Sequence, residues 1–194
     1  MNLNRLTISI FLIIFSFQSL TKADDISDFQ IEGMSIGDSA LDYFSKSEIK
    51  KYSKRGNYKD KSFLYSSIPY KKNGYTKINF HYKNKDKSYK VYAISGVIYF
   101  KDNYKKCLIK QAEIEKEISP LLKSFTKKIH ERKRNSNSKS GERDVYAYHY
   151  LNDNNDQIRI ACTDWSKKMK YIDHLRLDVL SKEFREWINN KAFK

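Results

Sequence analysis

The sequence predicts an α+β fold. One domain over residues 24–194 would hold an antiparallel sheet of about six strands, with a long helix and a C-terminal helix packed on one face. Three observations carry this reading. Short segments with strand periodicity fall into two groups, 63–100 and 144–179. Turn and hairpin signals link the segments within each group. A long segment with apolar residues at helical spacing, 103–132, stands between the groups. Strands that come in runs, rather than alternating one by one with helices, point to an antiparallel sheet.

The elements follow in order. Residues 28–32 (DFQIE) read as a short edge strand, and Gly33 and Gly37 break the chain after it. Leu41 and Phe44, three apart, begin a short amphipathic turn. Ser45-Lys46-Ser47-Glu48 has the form of a capping box, in which Ser45 and Glu48 exchange bonds with each other's backbone N–H. A short helix is therefore predicted over 46–53. Residues 63–68 read as a strand closed by Pro69. The clearest alternation lies in 75–83. Thr76, Ile78, Phe80 and Tyr82 share one face, while Tyr75, Lys77, Asn79, His81 and Lys83 share the other. Residues 84–87 form a turn. The stretch 89–100 is apolar on both faces, as in a central strand, and Ser95-Gly96 within it marks a bulge or a close backbone approach.

Across 103–132, Tyr104, Cys107, Leu108, Ile114, Ile118, Leu121, Leu122, Phe125 and Ile129 fall near one helical stripe. Ser119-Pro120 reads as an N-cap with Pro at the first helical position, so a kink or two helices end to end are expected. Residues 133–143 (KRNSNSKSGER) read as a mobile loop. Residues 144–151 and 157–163 form a hairpin by composition, joined by NDNND. Leu175, Leu177 and Val179 alternate with Arg176 and Asp178 in a further strand. Ser181 caps a final helix that turns Phe184, Trp187 and Ile188 inward.

The first 23 residues have the form of a secretory signal. Arg5 supplies the positive start, 6–17 is uncharged and mostly apolar, and Thr21-Lys22-Ala23 offers small residues for cleavage before Asp24. The alternative is an uncleaved anchor. No Cys follows the apolar run, which removes a lipoprotein anchor. The expected protein is soluble and periplasmic or secreted. Its two cysteines, Cys107 and Cys162, are then most simply one disulfide stapling the long helix to the sheet, with two free thiols as the alternative. No His or second Cys stands at metal-ligand spacing beside either, and neither a metal nor a cofactor is expected.

Residues 36–41, IGDSAL, carry the one hint of catalysis, because Gly37-Asp38-Ser39 resembles the nucleophile block of GDSL-type hydrolases. That family's base lies in a late Asp-x-x-His block. Here the late histidine is His174, and its neighbour Asp173 would point to the opposite face of a strand. The Gly-x-Asn-Asp block is missing too, and the predicted fold differs from that family's parallel sheet. Asp38 or Ser39 as a helix cap is the better reading. His81, His130 and His149 lack a His or Cys partner at ligand spacing and read as surface or packing residues. Glu113, Glu115 and Glu117 read as a solvated helix face with lysine neighbours.

Charge is the remaining signal. The chain carries a formal net charge of +15, and residues 50–90 hold thirteen Lys or Arg against two acids, Asp60 and Asp86. Seven tyrosines interleave with these cations. Lys71, Lys72, Lys83, Lys85 and Lys87 are the candidate anion-binding residues, on the reasoning that Lys supplies point charges and Tyr supplies stacking faces. Export and the excess of Lys over Arg argue against nucleic acid as the partner. The alternative is a solvated lysine-rich face.

Several segments carry a resemblance: IEGMSIGDSALDYFS (31–45), SGVIYFKDNYKKC (95–107), KSGER (139–143) and IRIACTDWSKKMKYIDHLRL (158–177). They resemble a group of small, signal-bearing bacterial proteins with no assigned activity, over most of the chain after the signal. More weakly, 33–44 is similar to the opening of BamE-type (OmlA/SmpA) envelope lipoproteins and β-lactamase-inhibitor-like domains. That second resemblance implies a helix-and-sheet binding module. Together these readings give an exported, non-enzymatic protein that binds an envelope component. A polyanion binder working through 50–90 is the first alternative, and a hydrolase using Ser39 the second.

Overall fold

Alternating side chains assemble one eight-stranded antiparallel sheet in the computed structural model, which describes residues 25–54, 56–135 and 142–194. Its strands are β1 (Ser53–Lys54), β2 (Phe63–Pro69), β3 (Lys77–Lys83), β4 (Ala93–Tyr99), β5 (Thr126–Arg132), β6 (Arg143–Leu151), β7 (Gln157–Trp165) and β8 (His174–Leu180). They lie in the order β1-β2-β3-β4-β8-β7-β6-β5. Three α-helices accompany them among the described residues: α1 (Lys46–Tyr52), α2 (Tyr104–Ile118) and α3 (Lys182–Asn190). Each half of the chain is thus a helix followed by a four-strand meander. The two meanders meet where β4 pairs with β8.

This corrects the expected architecture of six strands and one long helix. The two additional strands are the edges, β1 and β5. The predicted helix over 103–132 stops at Ile118, where Ser119–Leu121 tightens into a 3-10 turn carrying Pro120. The chain then reverses, and Thr126–Arg132 pairs with β6 along its whole length. Every residue of β5 is exposed, so no buried face imposed an alternation that could be read. Ile129 matched the helical stripe by coincidence of spacing. The expected strand over 28–32 is reduced to a single bridge between Ile31 and Met34 outside the sheet.

The helices also divide between the faces, which corrects their expected placement on one side. On one face Ile78, Phe80, Ile94, Leu175, Leu177 and Ile160 pack beneath α1, α2 and the N-terminal segment. Cys107, in the first turn of α2, is bonded to Cys162 of β7, as expected. Gln111 of α2 reaches the same sheet, its Nε2 donating to the carbonyls of Tyr146 and Ile160, both at 2.8 Å. On the opposite face, Phe184 and Trp187 of α3 pack on Phe63, Ala93 and Leu180. Ser181 caps α3 by accepting from the Phe184 N–H, and Ser45 and Glu48 form the predicted capping box of α1.

Ser95-Gly96 proves to be a close approach, not a bulge. Pairing with β3 and β8 runs unbroken through both residues. The Tyr75 ring lies on Gly96 so closely that a Cβ there would stand 2.2 Å from it. The signal segment and residues 136–141 of the predicted loop lie outside the described residues. Among the described residues, no helix is long and apolar enough to cross a membrane.

Candidate functional site

The strands whose apolar residues pack under α1 and α2 turn their other side chains to the opposite face. There the register sets one polar row straight across the sheet: Ser67, Asn79, Ser95, Asp178, Arg159 and His149, each opposite the next. Directly opposed side chains in an antiparallel sheet stand about 5 Å apart, so the members of the row interact in pairs. Because α3 covers only one end of this face, the rest stays open as a groove of about 820 Å³.

Asp178 is the centre. It is fully buried, and two guanidiniums close on it from above. Arg159 Nε donates to Oδ2 at 2.7 Å, and Arg159 Nη2 lies 2.7 Å from the same oxygen. Arg176 donates to Oδ1 from Nε at 3.1 Å and from Nη2 at 2.7 Å, and its Nη2 also reaches Ser95 Oγ at 3.1 Å. Burial opposes the charged carboxylate, but Arg159 and Arg176 outweigh it and hold the Asp178 pKa below the ordinary range. One carboxylate thus fixes two cations. Nη1 of each arginine has no partner among the described residues, and each side chain is about a third exposed.

Lys54, Lys77 and Arg185 add three cations to the lining, and no Asp or Glu is among the lining residues. Aromatic side chains form the ends. Tyr99, Trp165 and Tyr171 stand at one end, with Lys77 over the Tyr99 ring at 5.3 Å and Arg143 over Trp165 at 4.7 Å. Tyr58, Tyr65 and Phe193 stand at the other. The rim is apolar where it meets water: Tyr171, Ile172 and Phe193 are exposed.

Three of the four histidines, read from the sequence as surface or packing residues, come together here. His81 of β3 is buried, and burial, seconded by Arg176, pushes its pKa down to about 3. His149 of β6 is pushed down to about 4 by burial, Arg159 and His130. Burial also lowers His174. All three are neutral imidazoles. Their ring nitrogens meet the Tyr58 hydroxyl, the Gln157 amide and the Ile172 carbonyl, not a carboxylate or a nucleophile. Asn79 Oδ1, His81 Nδ1 and Trp165 Nε1 are buried on this face without a hydrogen-bond partner. Such orphaned groups cost stability, so their concentration on one face calls for an explanation other than stability.

The residues singled out by sequence sit elsewhere. The Ser39 hydroxyl donates to the Ser88 carbonyl at 2.7 Å and accepts from the Leu41 N–H, capping the 3-10 turn Ala40–Asp42. Gly37, at φ 98°, lets the chain turn into it. The five candidate lysines do not gather at one place. Lys71 and Lys72 lie in the turn before β3, whereas Lys85 and Lys87 follow it. A seven-residue strand puts roughly 20 Å between the two pairs. Lys83 is tied to Glu183 at 2.7 Å. Among the described residues no cluster of His, Cys, Asp or Glu is placed to hold a metal ion.

Sequence reasoning missed the groove because its members are spread over six strands. A signal was present nonetheless: Asp178 and Arg176 occupy one face of a strand whose other face is wholly apolar, with Arg159 in matching phase on neighbouring β7 and Asn79 and His81 in phase on β3, beyond β4. No family model, curated protein or solved structure matches the chain.

Proposed function

We propose that the protein is exported, without catalytic activity, and that it binds an anionic component of the cell envelope or its surroundings in the groove of the helix-poor sheet face. The observation that carries this reading is the lining itself: among the described residues, five cations, no carboxylate, and a buried Asp178 that orients two of the cations. Two strand arginines held in place before a ligand arrives spend little entropy on binding, and a guanidinium matches the geometry of a carboxylate or phosphate. The three imidazoles are neutral, and their ring nitrogens meet a phenol, an amide and a backbone carbonyl, not the carboxylate, serine, threonine or cysteine that acid–base or nucleophilic chemistry would use. This supports binding over hydrolysis.

The test compares two sets of cations. Titration with inorganic phosphate at low salt should reveal saturable binding. Lys77→Gln with Arg185→Gln should weaken it about tenfold, while Lys71→Gln, Lys72→Gln, Lys85→Gln and Lys87→Gln together should change it less than twofold. The reverse pattern would replace the groove with the polyanion reading of segment 50–90. Its steep salt dependence would come from released counterions.

A further inference from the structure

We infer that the groove recognises one acid group on a flat, ring-shaped body: the acid lies between Arg159 and Arg176, and the ring lies on the floor between them and the Tyr99–Trp165 wall. This deepens the proposal above and rests on it.

The acid position follows from the hydrogen-bond pattern. Arg159 and Arg176 come from adjacent strands, and both use Nε and Nη2 on Asp178. Both side chains line the groove, and the buried carboxylate holds each of them in place. The trio Arg159–Asp178–Arg176 retains one net positive charge, which one acid group of the ligand neutralises. A charge-assisted bond to a guanidinium is among the stronger polar contacts a ligand can make.

The ring position follows from side-chain size. Arg176 pairs across the sheet with Val97 on β4 and Ala161 on β7, and Ala161 pairs with Ala147 on β6. Of these, Val97 lines the groove, and Ala161 and Ala147 are buried outside its lining, so a small apolar side chain forms the floor beside the two arginines. The next positions along the same strands are Tyr99, His174 and Thr163, with Trp165 and Tyr171 beyond. The hollow is thus low in the middle, cationic on one side and aromatic on the other. A bare phosphate or acetate would leave that floor wet. An extended polyanion would also meet Lys54, Lys77 and Arg185, but it would leave the apolar floor and the aromatic wall unfilled. A ring bearing one acid group fills both parts, and the groove volume lies in the range of small-molecule sites. An arene, or a pyranose chair laid on its C–H face, fits this shape, so the probes must separate them.

Binding is read by isothermal titration, with Trp165 emission as a second signal in a Trp187→Phe background. The probes are benzoate, indole-3-acetate and glucuronate. Acetate and inorganic phosphate serve as acids without a ring, and benzamide and glucose as rings without an acid. At least one ring acid should bind tenfold or more tightly than acetate and than its neutral counterpart; which one does so identifies the body as arene or sugar. Arg159→Lys, which keeps the charge and loses the fork, should weaken it about tenfold. Val97→Phe, which fills the floor, should abolish ring-acid binding but spare phosphate. The melting temperature of each variant guards against misfolding, and Val97→Leu is the second floor variant if Val97→Phe does not fold. Ring acids that bind no better than acetate, with phosphate binding intact, would overturn this inference and leave the anion-binding groove standing. No binding by any acid would overturn both.

Discussion

Phe80 and Asn79 are neighbours on β3, yet they belong to two different proteins in effect, one for each face of the sheet. Phe80 is fully buried under the N-terminal segment, stacked on Phe44 at 5.8 Å. Around it Ile78, Ile94, Leu175 and Val179 make an apolar layer, and the buried polar side chains beside it, Ser66 and Gln111, are hydrogen-bonded to backbone carbonyls. One residue away, the other face sets Asn79, Ser95, Asp178 and Arg159 in a row, with Asn79 Oδ1 and His81 Nδ1 left unpaired. Burial of apolar area explains the first face completely. It does not explain the second, where replacing the buried ion trio by apolar residues of equal volume would be neutral or stabilising. The difference teaches that one face serves stability throughout, while the other divides between the apolar cluster under α3 and a polar groove open for recognition.

The largest expected effect tests that division. Phe80→Ala should destabilise the protein by about 3–5 kcal/mol, from lost transfer energy plus the cavity left behind. Lys77→Gln, three residues away on the groove face, should cost less than about 1 kcal/mol, the worth of its contact with the Tyr99 ring. Urea denaturation of both variants decides it. Equal losses would mean that the groove face is part of the stability core.

Next comes the disulfide, which belongs to the apolar face alone. It ties α2 to β7 across 55 residues of sequence. Chain-entropy reasoning gives about 4 kcal/mol for such a loop, within a usual range of about 2–5 for native bridges. Reduction should therefore lower the urea midpoint steeply while phosphate binding, followed below the transition, persists. Loss of binding before unfolding would show that α2 holds the groove in shape through the sheet and would weaken the separation of the two faces.

How legible this was from sequence depends on which face a residue serves. The alternation in 75–83 and in 175–179, the hairpin between β6 and β7, the caps at Ser45 and Ser181, and the Cys107–Cys162 bond were all readable, because each is fixed by local spacing or by a unique pair. The edges were not. β5 is exposed throughout, and β1 is two residues long, so neither carries a buried side to impose a period. The placement of α3 was equally hidden, since an amphipathic helix does not say which face of a sheet it will cover. The groove was least legible of all. Its row is one residue from each of six strands, and only the pairing registers bring those residues together.

The smallest effect is pH dependence, and its histidine part should arise on the groove face, because His81, His130, His149 and His174 all point to that side of their strands. An unfolded histidine takes up a proton near pH 6.5. In the folded protein burial and Arg176 hold His81 down to about 3, and burial and Arg159 hold His149 down to about 4, so both remain neutral well below that point. Between pH 6.5 and 5 the unfolded chain therefore binds more protons than the folded one, and stability falls as the solution is acidified. A single shielded imidazole contributes a slope approaching about 1.4 kcal/mol per pH unit at the acid end of that window. Asp178 adds nothing there, because its lowered pKa matters only below the ordinary carboxylate range. Asp164, whose pKa burial raises, works in the opposite sense, and it lies on the helix face beside Arg134. Urea midpoints at pH 7 and pH 5 should differ, with the lower value at pH 5, and His81→Gln should narrow the gap while keeping an amide for the Tyr58 hydroxyl. A gap of unchanged size in that variant would place the acid sensitivity outside the buried imidazole of β3. No gap in either protein would mean that the groove admits water and protons freely to its histidines.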